Sequence, residues 1–436
     1  MKRVRSPKSP EDTKKIRSSQ ETSDESVHHD ERMATTSNKN PENPSSNDNA
    51  PESPANAATT SSPSMPVESL ISTQELKLSP GYAYEDPNIV KSQLPKVLEL
   101  ITGEEFSVRG VFGTGGFCTV FRVRDQDGIQ YAAKLIAERI PEYPTYHELL
   151  AHEKVLHNPH PNLVSFLVNG MLTDPLPGFN GEIIVTEGCG PSLRNVMKRA
   201  RQDTNRTFYP SFCMENIRHI ASQIAKAMSH LETLKIFHLD LKAGNVVFAK
   251  PNIQYTLEND DIQPTIKMGD IGVKVIDFGN SASHWEPREK KKWRRVQPLA
   301  LRSPEVFMGL PYNEKSDVWS LGCLIAEMFS GQLIFYSTSG TTEQEMNQSQ
   351  FELTASRLNH EVPMEMIQAS QKGGHCQLDY RFLNQRPPND RDQLMNIMRE
   401  AADIPLYQLL KFMLIIDPNK RPSFEDVVRH EFFEGL

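Results

Sequence analysis

The chain has 436 residues, 24% charged and 37% hydrophobic, and its 48 Lys plus Arg against 56 Asp plus Glu leave a net charge of −8. That balance argues against nonspecific nucleic-acid binding as the main activity. Five cysteines with no CxxC pair exclude a disulfide scaffold and speak against a structural zinc site. No apolar run approaches the roughly 18 residues that span a bilayer, and the Lys- and Ser-rich start lacks the apolar core of a signal peptide. The expectation is a soluble intracellular protein without a membrane segment.

Composition divides the chain near residue 81. Residues 1–80 hold 16 Ser and 9 Pro but no Phe, Tyr, Trp, Cys or Gly. Such a stretch buries too little apolar surface to offset chain entropy, which predicts a disordered tail. It carries Ser-Pro steps at Ser6, Ser9, Ser53, Ser62 and Ser79, and basic clusters at Lys2–Arg5 and Lys14–Arg17. The clusters read either as a bipartite nuclear-import signal or as scattered solvated charge. Residues 81–105 read as a lead-in, and a folded domain is expected over 106–433.

Within that domain, strands come first. Phe106–Val111, Thr119–Arg124 and Gln130–Leu135 have strand composition, the last two joined by an Asp127-Gly128 turn. Tyr146–Leu156 reads as a helix and Gly181–Val185 as a further strand. Asn216–Leu231 repeats apolar residues at helical spacing, and Val318–Phe329 and Leu406–Ile416 are apolar helical stretches. Strands followed by long helices predict an α+β fold of two lobes: a small, mainly β lobe with one key helix, and a large, mainly α lobe.

Four short stretches carry chemistry. Gly113-Thr114-Gly115-Gly116-Phe117-Cys118-Thr119-Val120 lies between two expected strands, where bare backbone can approach phosphates. It is no Walker loop, since no Gly-Lys-Ser/Thr follows, and no helix follows as a dinucleotide-binding turn requires. Lys134 sits in an apolar strand, a costly place unless its charge meets an anion. Glu153, on the helix after it, is the expected partner. Then come His238-Leu239-Asp240-Leu241-Lys242-Ala243-Gly244-Asn245 and Ile276-Asp277-Phe278-Gly279, followed by Arg302-Ser303-Pro304-Glu305, Asp317-Val318-Trp319-Ser320 and Arg421.

In this order these motifs resemble the eukaryotic protein kinases, and the resemblance runs from residue 106 to 433. It implies a serine/threonine kinase using ATP and Mg2+. Gly113, Gly115, Phe117, Val120 and Ala132 would enclose the nucleotide. Lys134, oriented by Glu153, would hold the α- and β-phosphates. Thr186 would be the gatekeeper, with Glu187, Gly188 and Cys189 as the adenine-binding hinge; so small a gatekeeper would admit bulky groups behind it. Asp277 and Asn245 would bind magnesium, Asp240 would take the substrate hydroxyl proton, and Lys242 would steady the γ-phosphate. Glu305 and Arg421 would form a buried scaffold ion pair.

Arg302 before Ser-Pro-Glu and the long stretch from Phe335 to Ala402 resemble the CMGC group. Asn252–Glu258, within the 31 residues between Asn245 and Asp277, resembles the extra hairpin of CDC-like (LAMMER) kinases, with SR-protein and dual-specificity tyrosine-regulated kinases next nearest. The implied partners are protein substrates with Ser or Thr targets, followed by Pro or set among Arg and Ser, and the implied state is a monomer in the nucleus or cytoplasm that does not bind nucleic acid directly.

Three positions depart from the pattern. Cys118 takes the slot of the third glycine, Leu239 that of an Arg that meets a phosphorylated loop, and Pro298 that of a Thr beside the catalytic Asp and Lys. The last two motivate a second reading, a nonenzymatic pseudokinase scaffold that still binds ATP. A basic run, Glu289–Arg295, reads as a dock for an acidic or phosphorylated partner or as a solvated loop. Cys118 and Cys189 are expected to be inert toward electrophiles, since nothing in their sequence setting lowers a thiol pKa.

Overall fold

A computed structural model describes residues 94–436 except 116–117, 139–144, 205–208, 259–263, 284–295, 360–361, 374–376, 385–392 and 399–402. The tail, the Glu289–Arg295 run and Phe117 therefore lie outside the described residues. Contacts group the chain into Met1–Val67 and Glu68–Leu436, and every described residue belongs to the second unit.

The first lobe is a six-stranded antiparallel sheet with one helix. Its elements are β1 (Val97–Glu99), β2 (Glu105–Thr114), β3 (Cys118–Arg124), β4 (Gln130–Ala137), α1 (Thr145–His157), β5 (Phe166–Met171) and β6 (Phe179–Glu187). The sheet order is β1-β2-β3-β4-β6-β5. In β3 every second residue, Thr119, Phe121 and Val123, is buried, the alternation of a strand with one face on a core. That core gathers Leu98, Leu100, Phe106, Phe121, Val123, Leu135 and Val185. The described end of the lead-in, from residue 94, is thus part of the fold: β1 pairs with β2, and Leu98 and Leu100 supply core side chains.

The second lobe is helical. It contains α2 (Leu193–Thr204), β7 (Ser211–Phe212), α3 (Met214–Thr233), β8 (Ile236–Phe237), β9 (Val246–Phe248), β10 (Thr256–Glu258), β11 (Thr265–Lys267), β12 (Val273–Val275) and β13 (Ala282–Ser283). The helices α4 (Pro304–Phe307), α5 (Glu314–Ser330), α6 (Glu343–Arg357), α7 (Met364–Gly373), α8 (Ile404–Met413) and α9 (Phe424–Val428) complete it. α3 buries Ile217, Ile220, Ala221, Ile224, Met228 and Leu231, the stripe its spacing predicts. α5 is buried almost all round and stands at the centre. Asn313 caps its start by accepting from the Lys315 N–H, and Gly331, at φ 69°, ends it with an N–H to the Glu327 carbonyl. Among the described residues no helix is long and apolar enough to cross a membrane.

The expected strands and helices all form, each longer than expected by up to four residues at an end, except that the last helix stops at Met413 instead of Ile416. Asn252–Glu258 opens a hairpin: β10 pairs antiparallel with β11, and β11 adds β7 in parallel. The backbone pairs β12 with β9 and β13 with β8, flanking the loop of residues 238–245. These two ladders bring the two Asp-bearing motifs, 37 positions apart at Asp240 and Asp277, to one edge of the cleft.

Candidate active site

A cavity of about 770 Å³ opens between the sheet and the helices. Gly113, Gly115, Val120, Ala132, Lys134, Thr186, Glu187, Cys189, Asn245 and Asp277 all line it. Its roof is the β2–β3 hairpin, held by Gly113↔Val120 and Thr114↔Thr119 pairing and by the Gly115 N–H donating to the Cys118 carbonyl at 2.8 Å. Its rear edge is the hinge after β6. There Gly188 donates to the Gln130 carbonyl at 3.1 Å and Gly190 to the Phe248 carbonyl at 2.8 Å. A Cβ on Gly190 would stand 2.0 Å from the Lys250 carbonyl oxygen, so only glycine fits. Glu187 points back to the chain, accepting from the Ser165 N–H at 2.6 Å and pairing with Lys274 at 2.8 Å.

The charged centre is a three-residue cluster. Lys134 projects from β4, opposite Val120 and Ile184. Its Nζ donates to both Glu148 oxygens, at 2.7 and 2.9 Å, and to Asp277 Oδ1 at 2.8 Å. Burial by itself would raise the Asp277 carboxyl; the Lys134 charge and hydrogen bond and the Gly279 N–H outweigh it and hold the group below the ordinary carboxylate range.

Glu148, not Glu153, is therefore the partner of Lys134. Glu153 is exposed. The two lie five residues apart, about 140° around a helix, so they cannot share a face. The buried face of α1 is Glu148, Ala151, His152 and Val155, at spacing i, i+3, i+4, i+7. That periodicity was the signal in the sequence: it places the carboxylate at 148 inside the apolar stripe, where only a buried cation would justify it.

The loop from His238 to Asn245 forms the floor; Gly244 and Asn245 line the cavity, and Asp240 and Lys242 stand beside that lining. The Asp240 carboxylate Oδ2 accepts from Lys242 Nζ at 2.8 Å and from Asn245 Nδ2 at 3.0 Å, and Asn245 Nδ2 also donates to the Asp240 carbonyl at 2.9 Å. His238 Nδ1 accepts the Asp240 N–H at 3.2 Å, which puts the ring proton on Nε2, 3.0 Å from the Ile276 carbonyl. Leu239 adopts φ 59°, an unfavourable conformation for a side chain with a Cβ. Asp317 of α5 enforces it by accepting the His238 and Leu239 N–H groups at 2.7 and 2.8 Å. The Leu239 side chain packs with Phe237, Ala282, Val296 and Val306. An apolar contact thus joins this loop to the later segment at the place where an arginine and a phosphate would meet.

Pro298 caps a short 3-10 turn, Leu299–Leu301, and makes no side-chain hydrogen bond there. The polar work in this segment falls to its neighbour Gln297, a residue the sequence reading passed over. Gln297 is 6% exposed and has φ 65°. Its amide donates to the Ser316 carbonyl at 2.8 Å and to Ser320 Oγ at 2.9 Å. Its Oε1 accepts from Ser303 N and Oγ, both at 3.0 Å. Its backbone N–H meets the Leu239 carbonyl at 2.9 Å, and its carbonyl accepts from Arg302 Nη2 at 3.1 Å. Below it, Glu305 and Arg421 form the expected buried pair, bidentate at 2.9 and 3.0 Å.

The donor set at the cavity floor suits a hard cation. Asp277 is held anionic and faces the cavity. Asn245 commits its amide NH2 to Asp240, which leaves its carbonyl oxygen as the ligand atom. Among the described residues no three His, Cys, Asp or Glu side chains gather as a metal cage. Two oxygen donors suit magnesium, which keeps waters and phosphate oxygens in its shell.

Comparison with known proteins agrees with this geometry. The model of the protein kinase domain family matches residues 106–433. The dual specificity protein kinase CLK4 of Homo sapiens is 28% identical over 265 residues, covering 58% of this chain and 50% of that protein. CLK4 of Mus musculus is 26% identical over 349 residues, covering 76% and 66%. The probable dual specificity protein kinase madd-3 of Caenorhabditis elegans is 24% identical, covering 76% of this chain and 36% of its own length. The chain thus spans from about a third to about two thirds of these relatives. A crystal structure of a kinase domain shares the fold, with a TM-score of 0.61 at 22% identity over 78% of this chain and 98% of that one.

Proposed function

Because the chain belongs to the protein kinase domain family, we propose that it is an ATP-dependent protein kinase that phosphorylates Ser and Thr. The observation that carries this reading is the closed Lys134–Glu148–Asp277 cluster at 2.7 and 2.8 Å, lining the same cavity as Asn245. A cation fixed by two carboxylates at the cleft is positioned for the α- and β-phosphates of ATP.

Asp240 accepts the proton of the substrate hydroxyl while that oxygen bonds to the γ-phosphorus and the bond to the bridging oxygen of ADP breaks. Lys242, 2.8 Å from the same carboxylate, lies where charge develops on the transferred group. Asp277 and Asn245 offer the oxygens that would hold magnesium, and when bound the ion neutralises phosphate charge.

The acceptor side of the reading rests on Gln297. Its carbonyl is already engaged by Arg302, so it offers nothing to an N–H of the residue after the target. A proline there loses no hydrogen bond, which supports Ser-Pro and Thr-Pro sites. Protein substrates, Arg- and Ser-rich ones included, and a nuclear location carried by Lys2–Arg5 and Lys14–Arg17 complete the proposal.

The competing reading is a scaffold that binds ATP without transferring phosphate. Pro298 motivates it, since its side chain has no donor for Asp240 or Lys242. The contacts of Lys242 and Asn245 with Asp240 weigh against it.

The deciding experiment is transfer of labelled phosphate from ATP and magnesium by the full-length protein, wild type beside Asp277→Ala. The acceptors are its own tail, a basic protein, an Arg-Ser-rich peptide and a Tyr peptide. Label on Ser or Thr with the wild type alone is expected. Label on Tyr as well would make it dual in specificity, as the names of its relatives suggest for them. No label in any acceptor, with ATP bound, would overturn the proposal in favour of the scaffold.

A further inference from the structure

No described residue of α6 lines the cavity, yet this helix reaches the acceptor side of the cleft. It buries Gln350, Phe351, Thr354 and Ala355, and the half-buried Asn347 extends that face by one turn. Phe351 meets the Phe307 ring of α4 at 6.3 Å, and Leu299 packs on the same apolar cluster. The two side-chain amides of this face are used differently. Gln350 stays close to its own helix: its Nε2 donates to the Phe335 carbonyl and its Oε1 accepts from the Ser337 N–H. Asn347 reaches 45 positions back, where its Oδ1 accepts from Arg302 Nη1 at 2.8 Å.

That bond is a further hold on a planar group already gripped elsewhere. Arg302 donates from Nε to the Val296 carbonyl at 3.2 Å and from Nη2 to the Gln297 carbonyl at 3.1 Å. Its guanidinium lies over the Phe307 ring, 5.4 Å from the centroid. Nε and Nη2 form one edge of the guanidinium plane, and Nη1 stands away from that edge. Two carbonyls thus hold an edge, an aromatic ring holds a face, and Asn347 holds the end. The carbonyl bonds are the longer ones, near the outer limit of good N–H···O geometry. Removing the hold at Nη1 loosens the weaker pair, the bond to the Gln297 carbonyl included.

We propose that Asn347 is a positioning residue for acceptor choice: by fixing Arg302 on the Gln297 carbonyl, it makes the site select proline after the target Ser or Thr. The inference rests on the proposed kinase reading and its Ser-Pro preference, and it assigns part of that preference to α6. While Arg302 occupies the carbonyl, a following residue with an N–H finds no acceptor there, whereas proline has no donor to lose. When the guanidinium loosens, the carbonyl accepts that N–H and the penalty on other residues shrinks. An amide suits the task. Its oxygen accepts without neutralising the guanidinium, whose charge strengthens its hold on the two carbonyls.

The test compares three peptides that differ only after the target: Ser-Pro, Ser-Ala and Ser-(N-methyl-Ala), the last lacking the N–H without the proline ring. The values of kcat/KM for each, and KM for ATP, are measured on the full-length wild type, Asn347→Ala and Asn347→Asp. Asn347 is half-buried on a helix, a place that tolerates Ala well. The wild type is expected to favour the Ser-Pro and N-methyl peptides over Ser-Ala. In Asn347→Ala the Ser-Pro to Ser-Ala ratio should fall about five- to tenfold, mainly because Ser-Ala improves, with KM for ATP unchanged. Asn347→Asp retains an acceptor oxygen and should keep the wild-type ratio. A ratio unchanged in Asn347→Ala overturns the inference and leaves the Ser-Pro reading standing. A parallel loss on all three peptides does the same, since it marks a merely structural role. An equal fall in Asn347→Asp also overturns it, because the acceptor oxygen would then not be what matters. A wild type that does not discriminate among the peptides brings down the Ser-Pro reading and this inference with it, and one that phosphorylates none of them brings down the kinase reading as well.

Discussion

The two sides of the cleft hold their charged groups by different means. On the sheet side, Lys134 is fixed by ion pairs to one residue of α1 and one residue across the cleft. On the helical side, the 238–245 loop and the 296–305 segment are each tied down several times over. Asp317 takes two backbone N–H groups, Gln297 makes hydrogen bonds through its side chain and both backbone groups, and Glu305 meets Arg421 and Ser316. Even α1 is shared between the two, since Ala151 and Val155 pack with the helical core. A group held between two carboxylates on different elements can be repositioned by moving either element. A group held by many contacts keeps even an unfavourable backbone conformation, as Leu239 and Gln297 do. The difference teaches that alignment of the phosphates is the adjustable half of this site and the acceptor floor is the rigid half.

The comparison can be broken most sharply at the floor. Asp240→Asn should lower phosphate transfer by about 10²- to 10⁴-fold while leaving ATP binding in place. Calorimetry beside the transfer assay separates the two, and unchanged transfer would remove Asp240 from its role.

Next comes the anchor beneath the floor. Burial by itself would raise the Glu305 carboxyl, but Arg421 and Ser316 overcome this and lower it. Glu305→Gln strands a buried guanidinium and should cost about 3–5 kcal/mol of stability, read from the denaturant midpoint. A smaller loss would mean that the floor is less rigid than its hydrogen bonds imply.

On the adjustable side, Glu148→Gln should reduce kcat/KM for ATP about ten- to hundredfold, the size of one lost charge-assisted contact. Glu153→Gln should change it little. Reversal of these two would place the partner of Lys134 on the other face of α1.

Gln297→Ala leaves the Ser303 N–H without its acceptor in a buried setting, and should cost about 1–3 kcal/mol. It should also raise KM for a Ser-Pro peptide more than KM for ATP, a split that tests whether this segment governs the acceptor alone.

The smallest effect is expected at the thiols. Burial pushes Cys118 up to about 11 and Cys189 up to about 12. At pH 8 only about one Cys118 in a thousand is thiolate, so alkylation mapped by mass spectrometry should spare both below that pH and rise only as pH approaches those values. Prompt labelling at pH 7 would show that the roof opens far more than its pairing suggests.

Much of this was legible before any coordinates. The order of the Lys, Asp-Leu-Lys, Asp-Phe-Gly and Ser-Pro-Glu motifs identified the fold, and alternating or helical spacing located its strands and helices. Gly188, Asp240, Lys242, Asn245 and the Glu305–Arg421 pair are named through the resemblance of their motifs, each of which is a short run of neighbours in sequence. What tertiary structure decided were the choices between equivalent residues. Glu148 and Glu153 are both carboxylates on one helix, and only the packing of α1 determines which faces Lys134. Gln297 looks like an ordinary loop residue until α5 brings Ser316 and Ser320 beneath it. Pro298 brings no side-chain donor to Asp240 or Lys242, and the side chain of its neighbour Gln297 turns instead to Ser303, Ser316 and Ser320. Asn347 gains its role only when α6 packs beside α4 and brings an amide to Arg302, 45 positions earlier in the chain. A sequence states which groups a chain possesses; burial and long-range partners, which set their charge and reach, arise only when distant segments pack.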